Sequence, residues 1–209
     1  MKLGKYEEIL NLFYKNFESF RNLSNLKSGG GDFIDDFFKN RLKEGFEWCD
    51  NIRIYYGMSR FVIIHDDEDF VLKIPHNERG LKDCEREQLV FNEALKVGLS
   101  FMFAEVGFLC NYNDINVFWA EKAEADEDYA TERYASYHGY DTSSPDFSTS
   151  DVDTSDGEAL VEDIFHSFFS CEDVWNFYDF CGEWDVNDIH LGNIGFDGDT
   201  VKCIDYAGY

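Results

Sequence analysis

The stretch that decides the fold lies near the C-terminus. It runs Asn187-Asp188-Ile189-His190-Leu191-Gly192-Asn193-Ile194-Gly195-Phe196, then Asp197-Gly198-Asp199, then Thr200-Val201-Lys202-Cys203-Ile204-Asp205-Tyr206-Ala207. It reads as a loop, a short apolar strand, an Asp-Gly turn and a second strand. Three polar residues stand at fixed steps: Asn193 is five residues after Asp188, and Asp205 is twelve after Asn193. One loop turn separates the first pair and one hairpin the second, so short-range geometry alone can make the three side chains neighbours.

Outward from this stretch the pattern alternates between helical and strand periods. Glu158–Phe169 and Glu172–Cys181 have helical spacing, with Ser170 as a cap for the second. Residues 121–159 lose the apolar period, and Tyr140–Gly157 reads as a mobile loop. Ala104–Cys110 and Ile115–Ala120 read as strands around an Asn111–Asp114 turn. A Glu-rich helix is expected at Leu81–Val97, stopped by Gly98. Before it, Ile52–Tyr56, Arg60–His65 and Phe70–Ile74 form a strand meander, and the acidic run Asp66–Asp69 is expected to be a solvated hairpin turn. At the N-terminus, helices are expected at 3–26 and 32–44, broken by Ser28-Gly29-Gly30-Gly31. The expected division is a helical appendage over 1–48, a sheet-containing lobe over 49–123 and a smaller helical lobe over 124–209.

The charge is one-sided. The 209 residues carry 43 Asp+Glu against 18 Lys+Arg, a net charge of −25. Residues 1–60 have 10 basic and 9 acidic side chains, and the rest of the chain has 8 and 34. From Tyr134 to Val201 there is no Lys or Arg, against 16 carboxylates. This argues against nucleic acid as a partner, because phosphate contacts need clustered cations. It argues equally against an anionic membrane surface, and no run approaches the apolar length of a membrane span. An aromatic content of 18% gives the chain material for a core. The opening Met1-Lys2-Leu3-Gly4-Lys5 does not read as a secretory signal. Six cysteines (Cys49, Cys84, Cys110, Cys171, Cys181, Cys203) include no C-x-x-C pair, so reduced, mostly buried thiols in a cytoplasmic protein are expected, with Cys171 and Cys181 as buried neighbours.

The Asp188–Asn193–Asp205 spacing, in the form D-x-H-x-x-N, resembles the catalytic loop of the protein-kinase-like superfamily, and its aminoglycoside and choline kinases in particular. The strand–helix order between Ile52 and Gly208 fits the same family, in a short bacterial or phage-type form. The resemblance implies an α+β, two-lobe fold with a five-stranded antiparallel N-lobe sheet, a minimal helical C-lobe and the N-terminal appendage. It implies Mg²⁺- and ATP-dependent transfer of a phosphoryl group to a hydroxyl. Asp188 would be the catalytic base, and Asn193 and Asp205 would hold Mg²⁺. Lys73, in Phe70-Val71-Leu72-Lys73-Ile74, would hold the nucleotide phosphates. Glu87 would pair with Lys73, with Glu85 and Glu93 as rivals that only the helix face can decide between. Gly57 and Ser59, in the first hairpin turn, would touch phosphate, and the backbone around Glu121 and Ala123 would bind adenine.

Departures from the family pattern are visible too. Asn187 stands where an Arg precedes the catalytic Asp in protein kinases, although small-molecule kinases also lack that Arg. The metal-binding triplet reads Asp205-Tyr206-Ala207, and the turn at Gly57 has a single glycine. The sequence stops four residues after Asp205, so the acceptor surface is expected from 124–159 or from the N-terminal helices. Two functions follow. One is a kinase acting on a protein or a basic small molecule. The other is an inactive pseudokinase whose acidity sequesters a basic partner in the manner of a nucleic-acid mimic. His190 is expected to hydrogen-bond the backbone, and the remaining histidines suggest no metal site.

Overall fold

The computed structural model describes residues 7, 10, 11, 52–112, 114–144, 147–152, 157–198 and 200–207. Apart from Glu7, Leu10 and Asn11, which are helical, the expected helices at 3–26 and 32–44 lie outside the described residues, as does Cys49. The architecture is α+β. Its elements are β1 (Ile52–Tyr56), β2 (Arg60–His65), β3 (Phe70–Pro75), α1 (Glu78–Val97), β4 (Val106–Tyr112), β5 (Ile115–Glu121), α2 (Glu127–Tyr137), α3 (Gly157–Phe168), α4 (Cys171–Glu183), β6 (Ile194–Asp197) and β7 (Thr200–Cys203). Among the described residues no helix is long and apolar enough to cross a membrane.

The chain divides into two compact units, Met1–Glu85 with Val106–Lys122, and Arg86–Glu105 with Ala123–Tyr209. The first unit contains an antiparallel sheet in the order β1-β2-β3-β5-β4. Its register sets Lys73 opposite both Val62 and Phe118. Alternation along β2 buries Phe61, Ile63 and His65 and leaves Val62 and Ile64 partly exposed, the period-two pattern of a strand with one face inward. β3 is interior to the sheet and is buried from Val71 to Pro75, Lys73 included. The Asp66–Asp69 run is the β2–β3 turn; Asp66 accepts from Arg53 Nε at 3.2 Å, and Lys122 Nζ donates to the Asp66 carbonyl at 2.9 Å. Leu10 is 2% exposed, and Tyr112 of β4 donates to the Glu7 carbonyl at 3.4 Å, so the N-terminal segment contributes to this unit there.

The second unit is organised by aromatic packing. Phe103 lies 5.0 Å from Tyr206 and 5.1 Å from Phe177, and Phe177 stacks on Phe165 at 4.9 Å. Such ring pairs add directional attraction to area burial. Ala104 N donates to Cys203 O at 2.9 Å, which ties the 102–104 segment to β7. This is the physical reason that 86–105 belongs with the second unit rather than with the sheet-containing lobe expected over 49–123. At the other end of that lobe the second unit begins at Ala123, one residue before the expected boundary.

The reading of 121–159 as aperiodic misses α2. Its buried positions are Ala130, Thr131 and Ala135, small residues that leave little hydrophobic contrast for periodicity to detect. The local signal is its N-cap: Asp126 accepts from Tyr129 N at 2.9 Å. Ser170 caps α4 as expected, accepting from Asp173 N at 3.2 Å. Cys171 and Cys181 are not buried neighbours, because α4 sets Cys171 outward and Cys181 inward. The described cysteines are all free.

Candidate active site

Asp188, Asn193 and Asp205 all fall in the second unit, and backbone hydrogen bonds link their segments. Asn193 is buried, and its Nδ2 donates to the Asp188 carbonyl at 2.8 Å. Its own N–H donates to His190 O, and its carbonyl accepts from Ile204 N, both at 2.8 Å. Ile204 immediately precedes Asp205, so Asn193 joins the loop before β6 to the strand end after β7. With Nδ2 engaged on the backbone, Oδ1 is the amide atom oriented to accept or to ligate.

Asp205 is followed by an anchor. Tyr206 is 1% exposed and donates its hydroxyl to Ala104 O at 2.6 Å. The hairpin itself is fastened where Glu124 and Phe196 exchange N–H···O bonds of 3.0 and 2.9 Å. Gly195 is required there, since a Cβ would stand 2.8 Å from the backbone of Ala123. The Asp188 side chain is 31% exposed, open to an incoming group, and its Oδ1 lies 3.5 Å from His190 Nε2. His190 Nδ1 accepts from Gly192 N at 3.0 Å, the backbone role expected of it.

The residues expected to meet a nucleotide are placed as follows. Lys73 is 5% exposed on β3 of the first unit. Along α1 the buried positions Gly80, Cys84, Glu87, Val90 and Ala94 form one stripe at helical spacing. Glu87 is 0% exposed, Glu85 is exposed, and Glu93 pairs with Lys96 at 2.5 Å. Of the three candidate glutamates, Glu87 is therefore the one on the inward face. A buried charge is costly unless its surroundings compensate it, which marks both Lys73 and Glu87. Glu121 ends β5 opposite Phe70, and the next amide, Lys122 N, donates to Asp69 O at 3.0 Å. Ala123 lies between that bond and the Glu124–Phe196 pair.

The β1–β2 turn has a different character. Ser59 Oγ donates to Asp83 Oδ2 at 2.8 Å, His76 Nε2 lies 3.1 Å from Gly57 O, and Asn77 Nδ2 donates to Met58 O at 3.2 Å. Gly80 packs so closely that a Cβ would stand 2.0 Å from Ser59 O. The Ser59 hydroxyl, expected to face phosphate, is thus engaged with a carboxylate of α1. Nothing local in Tyr56–Arg60 announces this, since its partners are 19 to 24 residues away.

Among the described residues no group of three or more His, Cys, Asp or Glu side chains is placed to hold a metal ion. The donor set of Asn193 and Asp205 suits Mg²⁺, which is often held by one or two carboxylates with substrate phosphates and water completing its shell. Cys181 is buried on the inward face of α4, and burial pushes its thiol up to about 12. No protein-family model matches the chain, and no curated protein matches it in sequence.

Proposed function

We propose that the chain is a cytoplasmic, Mg²⁺- and ATP-dependent phosphotransferase of the protein-kinase-like type, acting on a hydroxyl of a protein or a basic small molecule. One arrangement carries the reading: Asn193 is bonded at once to the Asp188 carbonyl and to the amide before Asp205. The element order, with α1 between β3 and β4 and the β6–β7 hairpin after the helices, supports it. Asp188 orients the acceptor hydroxyl and takes its proton as that oxygen bonds the γ-phosphorus and the bond to the β-phosphate oxygen breaks. On this reading Lys73, buried on β3, serves the nucleotide phosphates, and the backbone around Glu121 and Ala123 serves the adenine. Asn193 and Asp205 are the residues that would hold Mg²⁺, which would supply positive charge to offset that on the phosphates.

Thermal unfolding with and without Mg·ATP tests the reading. A ligand at about 100 times its Kd stabilises by about 2.7 kcal/mol, a shift of several degrees. No shift at millimolar Mg·ATP, together with no phosphoryl transfer to any hydroxyl acceptor, overturns it. The stretch from Tyr134 to Val201, which has no Lys or Arg, supports a second reading, an inactive kinase-fold protein that binds a basic partner. That reading expects no nucleotide shift and salt-sensitive capture of a defined basic protein.

A further inference from the structure

Arg86 stands next to Glu87 on α1, and both belong to the second unit. Its guanidinium spans 98 positions of sequence to reach the turn that closes α4. Nη2 donates to Trp184 O at 2.5 Å and to Asp185 O at 3.5 Å. Carbonyls at a helix C-terminus lack partners inside the helix, and a cation there is favoured by the helix dipole. The turn needs holding, because Asp185 has φ 53, a left-handed conformation that a non-glycine residue keeps only when its surroundings impose it. Trp184 N donates to Phe180 O at 3.0 Å and Val186 N to Cys181 O at 2.8 Å, which fixes the helix side of the same turn. Three residues further on is Asp188, whose carbonyl is held by Asn193. The segment from Trp184 to Asp188 is thus fastened at one end by Arg86 and at the other by Asn193.

We propose that Arg86 is a positioning residue: it sets the turn at Trp184–Asp185, and through it the reach of Asp188, and ties that loop to the helical turn carrying Glu87. The catalytic consequence rests on the phosphotransfer reading; the positioning does not. A guanidinium presents several donors in a rigid fork and can serve both carbonyls, whereas a lysine ammonium is a compact point charge. Arg86→Lys should therefore restore part of what Arg86→Ala removes.

The test compares wild type, Arg86→Ala and Arg86→Lys by amide hydrogen exchange of the ligand-free protein, by phosphotransfer kinetics, and by thermal unfolding as the control for folding. Arg86→Ala is expected to speed exchange in peptides covering 184–193 by about tenfold, with β1–β5 unchanged and Arg86→Lys intermediate. It should lower kcat by about tenfold or more while KM for ATP stays within about twofold. Exchange over 184–193 equal to wild type, or acceleration spread evenly over the second unit, overturns the proposal. If Arg86→Ala does not fold, Arg86→Lys decides: exchange faster than wild type confined to 184–193 upholds the proposal, and equality overturns it. If wild type transfers no phosphoryl group, the phosphotransfer reading falls, and the exchange result still decides the role of Arg86.

Discussion

Two turns of this protein invite comparison: the loop and hairpin from Asp188 to Asp205, and the β1–β2 turn from Gly57 to Arg60. Both are polar, and both were expected to meet a phosphorylated substrate. In the first, backbone and amide bonds gather Asp188, Asn193 and Asp205 and leave the Asp188 carboxylate 31% exposed. In the second, Asp83, His76 and Asn77 hold the turn, and its hydroxyl donates to a carboxylate. The difference is one of partners: the first stretch is held largely by bonds among its own residues, whereas the second is held by side chains 19 to 24 residues away.

The largest expected effect tests the first turn as a chemical device. Asp188→Ala should lower phosphotransfer by about 10²- to 10⁴-fold while Mg·ATP still raises the melting temperature, because the proposed function assigns this residue to the acceptor and not to the nucleotide. Asp205→Ala should abolish both. If Asp188→Ala turns over as wild type does, the contrast between the two turns loses its chemical meaning.

Next in size is the anchor behind Asp205. Phe103→Ala removes the ring packed on Tyr206 and Phe177 and should cost about 3–5 kcal/mol in denaturant unfolding. A loss below 1 kcal/mol would mean that the strand end is held by its backbone bonds alone.

The second turn is probed by overpacking and by deletion. Gly80→Ala forces a Cβ against the Ser59 carbonyl and should destabilise by about 1–3 kcal/mol, the opposite sign to the stabilisation of about 1 kcal/mol that this change ordinarily brings inside a helix. Ser59→Ala removes the donor to Asp83 and should cost about 1 kcal/mol. If Ser59→Ala weakens Mg·ATP binding by more than about tenfold without a matching loss of stability, the hydroxyl serves the nucleotide and the comparison breaks.

How far the residues could be read in advance follows the same division. The strands β1 and β2 and the β6–β7 hairpin were legible because short runs rich in β-branched and aromatic residues are bounded by turns that carry Gly, Ser or Asp. α2 was not, because alanines and a threonine bury as well as leucines do but leave almost no periodic signal. The choice of Glu87 over Glu85 and Glu93 needed the buried stripe of α1. Neither Arg86 on the Trp184 carbonyl nor Tyr206 on the Ala104 carbonyl has any sequence-local signature, since each bond spans about a hundred residues.

By itself the sequence determined the identity and order of the strands and most helices, the acidic imbalance after residue 60, and the spacing Asp188–Asn193–Asp205. These depend on side-chain period, on turn chemistry and on separations too short for the chain to disperse. Only the tertiary structure decided which carboxylate of α1 is buried, that Arg86–Glu105 packs with the second unit, and that the Ser59 hydroxyl belongs to Asp83. Those outcomes depend on which helix face turns inward and on partners distant in sequence, and packing chooses them only once the whole chain has closed.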